Sequence, residues 1–83
     1  MQYTVVWLPG ALAALTNLWM DASDPQAVSD ASNRLDMDLG RNPMAGARKY
    51  GDALSKDHAP LRVLYEVDAG DLMVRVFAVK RIS

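Results

Sequence analysis

From Leu61 to Arg81, in the stretch LRVLYEVDAGDLMVRVFAVKR, apolar and polar residues alternate on either side of Asp68-Ala69-Gly70-Asp71. A period of two rich in β-branched and aromatic residues predicts two strands joined by a tight turn. Gly70 is expected to supply the positive φ of a short hairpin connection. With Ala69 and Gly70 as the turn, Val67 faces Leu72, Tyr65 faces Val74, Val63 faces Val76 and Leu61 faces Ala78, which makes one apolar face. The other face pairs Glu66 with Met73, Leu64 with Arg75 and Arg62 with Phe77, and Arg81 shares its parity. A one-residue slip would set an arginine against the apolar side, so this register is favoured, with a bulge free to shift it locally.

Upstream, QYTVVW at 2–7 reads as a first strand with Tyr3, Val5 and Trp7 on one face, ended by Pro9-Gly10. From Ala11 to Met20 the period lengthens: Leu12, Leu15 and Trp19, widened by Ala11 and Leu18, mark an amphipathic helix that places Trp19, like Trp7, in the core. Asp24 as N-cap and Pro25 at the first helical position restart a second helix with Val28, Ala31, Leu35 and Leu39 inside. Gly40 is its expected stop, with Pro43 beyond it. The short link makes the two helices an antiparallel pair. A further strand is expected within 47–56, because a two-stranded ribbon is marginal alone. The order is β-α-α-β-β-β, an α+β fold with two helices on one face of a mostly antiparallel sheet.

Composition narrows the chemistry. With 83 residues, 51% of them hydrophobic, the chain is expected to be one domain spanning 1–83. It has no cysteine and one histidine, which excludes disulfides, thiolate metal sites and a cysteine nucleophile. No apolar run approaches the ~20 residues of a membrane span. The opening MQYTVVWLPGALAAL lacks a signal peptide's basic start, so a cytoplasmic protein is expected. Charge is uneven: residues 1–40 hold five acids and one base, residues 41–83 five acids and eight bases. The second half is either an ordinary solvated surface or the side that meets an anionic partner.

Few residues suit catalysis. Gly40, Gly46 and Gly51 are too far apart for a phosphate loop. Asp36 and Asp38 point in different directions on a helix and make a poor metal pair. Ser55, Asp57 and His58 read as a polar turn rather than a triad. His58 belongs to the residue type that titrates near neutrality and is placed to reach the basic face as a general base, or else it is a solvated turn residue. Arg62 interrupts an apolar strand. It is either a rim residue stacked on Phe77 or paired with Glu66, or a planar cation aimed at phosphate in company with Arg75 and Arg81.

Four features together resemble one family: a strand ending in Trp7, two helices, the helix exit Leu39-Gly40-Arg41-Asn42-Pro43, and PLRVLYEVD followed by VRVFAVKR between 60 and 81. They resemble the RelE/ParE superfamily of small bacterial toxins, across nearly the whole chain. The resemblance implies the toxin of a type II toxin–antitoxin module, held inactive by a co-encoded antitoxin. One branch of the superfamily cleaves messenger RNA in the ribosomal A site, and the other poisons DNA gyrase. The ribonuclease branch uses no metal or cofactor: the ribose 2′-hydroxyl attacks the neighbouring phosphate, and basic side chains stabilise the charge that develops. Arg62 matches the family's strand arginine, and Arg81, with Lys80, the basic end of the last strand. Lys56 and His58 are then the candidate acid and base, and Arg75, Lys80, Lys49 and Arg48 the candidate substrate contacts. A gyrase poison and a purely protein-binding module remain open alternatives.

Overall fold

The computed structural model describes residues 2–83. The chain runs β1 (Thr4–Trp7), α1 (Pro9–Asp21), α2 (Pro25–Arg41), β2 (Arg48–Tyr50), β3 (Ala53–His58), β4 (Leu61–Asp68) and β5 (Met73–Arg81). The strands form one sheet in the order β1-β5-β4-β3-β2, with β1 parallel to β5 and every other pair antiparallel. The expected α+β architecture is present. The strand foreseen within 47–56 is divided into the hairpin β2–β3 by a turn at Gly51-Asp52, where Gly51 has a φ of +62°.

Both helices lie on one face. Ala11 of α1 and Val28, Ala31, Leu35 and Leu39 of α2 are buried against Leu61, Val63 and Tyr65 of β4 and Val74, Val76 and Val79 of β5. The predicted inner stripe of α2 is the observed one, and Asp24 caps it, accepting a hydrogen bond from the Ala27 amide at 3.3 Å. Along α1 the stripe is rotated from expectation: Ala11, Ala14, Leu15 and Leu18 pack inward, while Leu12 and Trp19 stay about half exposed. Alanines at the contact let α1 lie close to the sheet and turn its bulkier side chains outward. Trp7 does pack against the core, and its Nε1 donates to Asp36 at 2.9 Å, tying β1 to α2.

Gly40 does not end α2, which continues to Arg41. The absence of a side chain serves a close approach instead. The Tyr3 amide donates to the Gly40 carbonyl at 2.8 Å, and a Cβ on Gly40 would lie 3.0 Å from the Gln2 side chain. Beyond the helix, Pro43 is buried, and its carbonyl accepts a hydrogen bond from the Tyr65 hydroxyl.

The β4–β5 hairpin departs from its expected register in two ways. Asp68 pairs with Met73, so the connection is the four residues Ala69–Leu72, and Leu72 (φ 51°), rather than Gly70, takes the left-handed conformation. Tyr65 therefore faces Val76, not Val74. A bulge follows: Tyr65 pairs with Val76 but Leu64 with Ala78, which leaves Phe77 as the extra residue. Beyond it the parity of β5 reverses. Val63 meets Val79, Arg62 meets Lys80, and Leu61 meets Arg81. The extra residue keeps Val74, Val76 and Val79 all buried, which strict alternation would not allow.

Candidate functional site

The bulge decides which cations stand together. Side chains of directly opposed residues share a face. Arg62 therefore shares the open face, away from the helices, with Lys80 on β5 and Asp57 on β3. One row further along, Ser55 and Arg48 oppose each other on that face, and Tyr50 follows opposite Ala53. Arg81 falls instead on the helix side, opposite Leu61, where it lines a hollow of about 150 Å³ with Leu18, Asp24 and Pro60. The expected grouping of Arg62 with Arg81 is thus corrected: Lys80 takes the position beside Arg62. Arg75 does lie on the open face, but opposite Glu66, four residues from Arg62 along β4, or ~13 Å. Its guanidinium approaches Asp68 at 3.7 Å.

The same rule turns other candidates away. Lys56 opposes Val63, His58 opposes Leu61 and Lys49 opposes Leu54, so all three have the parity of the helix side. His58 Nδ1 lies 3.4 Å from the Ala59 carbonyl, and the ring is exposed at the strand end. It does not share Arg62's face. Ser55, Asp57 and His58 do not form a polar turn; they are part of β3, with Ser55 buried.

What the open face assembles is a cation cluster around one carboxylate. Arg62 Nε donates to Asp57 Oδ1 at 2.7 Å and Nη2 donates to Oδ2 at 2.9 Å, a bidentate pair; Asp57 takes the place that the rim alternative gave to Phe77 or Glu66. Those hydrogen bonds, opposed in part by desolvation and aided by the charges of Arg62, Arg48 and Lys80, hold the Asp57 carboxyl below the usual range. The Arg62 guanidinium is correspondingly pushed above its ordinary value by Asp57, with a further contribution from nearby Tyr50. A guanidinium has five donors, and this pair occupies one edge. Asp57 thus orients Arg62 and leaves the Nη1–Nη2 edge for another anion. Arg48, Arg62 and Lys80 against Asp57 leave the cluster with a surplus of positive charge. A depression of about 180 Å³ between Arg48, Ser55 and Asp57 opens beside it.

Tyr50 completes the face. Lys80 Nζ lies 5.9 Å from the centre of its ring, although two strands separate the residues. Three strand spacings and a four-residue offset along the strands would separate their backbones by ~19 Å in a flat sheet, so long side chains and a coil of the sheet over its open side together bring them close. Tyr50 and Asp57 were not read as site residues from sequence. The signal for Asp57 was present: a two-residue connection at Ala59-Pro60 places Asp57 directly opposite Arg62. Tyr50 carried no comparable signal, because its approach to Lys80 depends on the curvature of the whole sheet. Among the described residues no group of three potential ligands could hold a metal ion, and no helix is long and apolar enough to cross a membrane.

No protein-family profile and no curated protein matches the chain. Solved structures do. The toxin–antitoxin complex RelBE2 of Mycobacterium tuberculosis superposes with a TM-score of 0.80 at 21% identity, covering 98% of this chain and 99% of that one. The intact RelBE complex of E. coli gives 0.66 at 17% identity, covering 98% of each chain. The archaeal RelE–RelB complex of Pyrococcus horikoshii gives 0.61 at 18% identity, over 100% of this chain and 98% of that one. The isolated E. coli RelE toxin matches as well, with a TM-score of 0.65. The fold is that of the RelE toxins.

Proposed function

We propose that this chain is the toxin of a type II toxin–antitoxin pair and that it arrests growth by cutting messenger RNA on the ribosome, without a metal or cofactor. The fold supports the class, since its structural relatives are RelE toxins, three of them in complexes with their antitoxins. A short antitoxin encoded beside it is the expected partner. The observation that carries the mechanism is Arg62: Asp57 fixes one edge of its guanidinium, Lys80 stands opposite it on β5, and Arg48 adds its charge from the far side of Asp57, all on one open basic face. Such a face suits the backbone of a single strand. The 2′-hydroxyl gives its proton to solvent and attacks the adjacent phosphorus, and the bond to the 5′-oxygen breaks. That oxygen takes a proton from solvent, leaving a 2′,3′-cyclic phosphate and a 5′-hydroxyl, while Arg62 with Lys80 stabilises the charge gathering on the phosphate oxygens. Asp57 is the proton acceptor nearest Arg62, and Arg62 makes it a weak base. Most of the acceleration then comes from electrostatic stabilisation and from the alignment the ribosome imposes on the strand.

A second reading, a non-enzymatic poison of DNA gyrase, is favoured by the placement of Lys56 and His58 with the opposite parity to Arg62. Controlled expression in a bacterium separates the readings. Wild type and Arg62→Ala are compared for growth, and messenger RNA ends are mapped within minutes of induction. Arrest with new cuts in translated RNA, both lost in the variant, is the expected outcome. Arrest with intact RNA and an induced DNA-damage response would move the assignment to gyrase. No arrest would leave a protein-binding module.

A further inference from the structure

We propose that Tyr50 is a stacking platform for an unpaired nucleobase, and that the base it receives belongs to the nucleotide whose phosphate meets Arg62 and Lys80. The inference rests on the RNA reading above and names what that face recognises besides charge. Tyr50 is 58% exposed, at the end of a three-residue edge strand whose every residue is exposed. An exposed tyrosine alone would need no explanation. This one has cations around it: Lys80 Nζ stands 5.9 Å from the ring centre, and Arg48 lies two residues away on the same face. Aromatic rings set among cations on an open sheet surface bind single strands by stacking bases while the cations take the phosphates.

Duplex nucleic acid would not use the ring, because paired bases hide their faces in the stack. The ring therefore selects single strands over duplex, and that the strand is RNA comes from the reading above. Any base has a π-face, so Tyr50 contributes affinity and alignment more than sequence choice.

The test is binding of a fluorescent six-nucleotide 2′-O-methyl RNA, which lacks the attacking hydroxyl and cannot be cut. Affinity is followed by anisotropy at low salt and compared with an abasic oligomer of the same length and charge. Wild type, Tyr50→Phe and Tyr50→Ala are measured, with thermal unfolding confirming that each is folded. The expected result is a loss of about 5- to 150-fold for the base-containing strand in Tyr50→Ala, from the usual worth of one base–aromatic stack. Tyr50→Phe should bind it within about twofold of wild type, and the abasic strand should bind all three alike. Equal RNA affinity in wild type and Tyr50→Ala would overturn the inference and reassign the exposed ring to a protein partner. An equal loss for both strands would overturn it too, since Tyr50 would then act by arranging the cations. If wild type binds neither strand, the stacking inference fails because the face has no grip of its own on a single strand, whereas the ribonuclease reading stands or falls separately on the messenger RNA ends mapped after induction.

Discussion

The helix side and the open side of the sheet use alternate residues of the same strands, and they are held under different constraints. On β4, Leu61, Val63 and Tyr65 point to the helices and are fully buried, whereas Arg62 and Leu64 between them remain partly exposed. The covered side is a packing problem: volumes must fit α1 and α2, and the polar atom it holds, the Tyr65 hydroxyl, is matched to the Pro43 carbonyl. The open side is a charge problem, where Asp57 and Arg62 are held by each other and by no core. Stability should therefore reside on one side and activity on the other.

The largest effect expected is on the covered side. Leu35 is wholly buried where α2 meets the sheet. Leu35→Ala should lower unfolding free energy by about 2–5 kcal/mol, the cost of lost burial plus a cavity. Urea denaturation checks this, and a change under about 1 kcal/mol would show that the helix layer is loosely packed. Arg62→Ala, by contrast, should leave stability nearly unchanged, because it removes a pair that is already about one-third exposed. If it unfolds the protein, the separation of the two sides is wrong.

Tyr65→Phe comes next and tests the polar contact inside the covered side. It leaves a buried carbonyl without its donor, which costs about 1–3 kcal/mol at neutral pH. Burial also pushes the Tyr65 phenol up to about 12. The unfolded chain loses that proton from about pH 10 upward while the folded one retains it. Stability from this group is thus complete below about pH 10 and falls as pH rises towards 12, by roughly 2–3 kcal/mol in all. The wild-type advantage over Tyr65→Phe should shrink across that alkaline range when the two are unfolded side by side. A constant difference would mean that burial does not hold the proton.

These two sides were unequally legible in the sequence. Apolar periodicity located β1, both helices and the final hairpin, because burial imposes a period that the order of residues displays. It misjudged α1, where Leu12 and Trp19 are the bulkiest members of the apparent stripe but the contact is made by Ala11, Ala14 and Leu15. It misplaced Gly40, whose role depends on β1 lying against α2. The open side was hardest, since its grouping rests on the Phe77 bulge. Arg81 and Lys80 are adjacent in sequence, and one extra residue exchanges which of them meets Arg62. Strict alternation could not supply that, although the need to bury Val79 along with Val74 and Val76 was a clue.

The smallest effect expected is on the open side, where Asp57→Asn removes the carboxylate and keeps the shape. The pair it breaks has good bidentate geometry but stands in water, so its worth is at most about 1 kcal/mol near neutral pH. Its pH dependence identifies it. Arg62 holds the folded carboxyl below its unfolded value of about 3.9, so the folded state binds fewer protons in that interval. The contribution is therefore present in full above about pH 4 and is lost as pH falls through the folded value. Wild type should exceed Asp57→Asn slightly at about pH 7, and the two should converge under strongly acidic conditions. Paired denaturation curves at both pH values decide it. A difference that persists in acid would mean that Asp57 supports β3 by its shape or hydrogen bonds, and that the orientation of Arg62 does not depend on its charge.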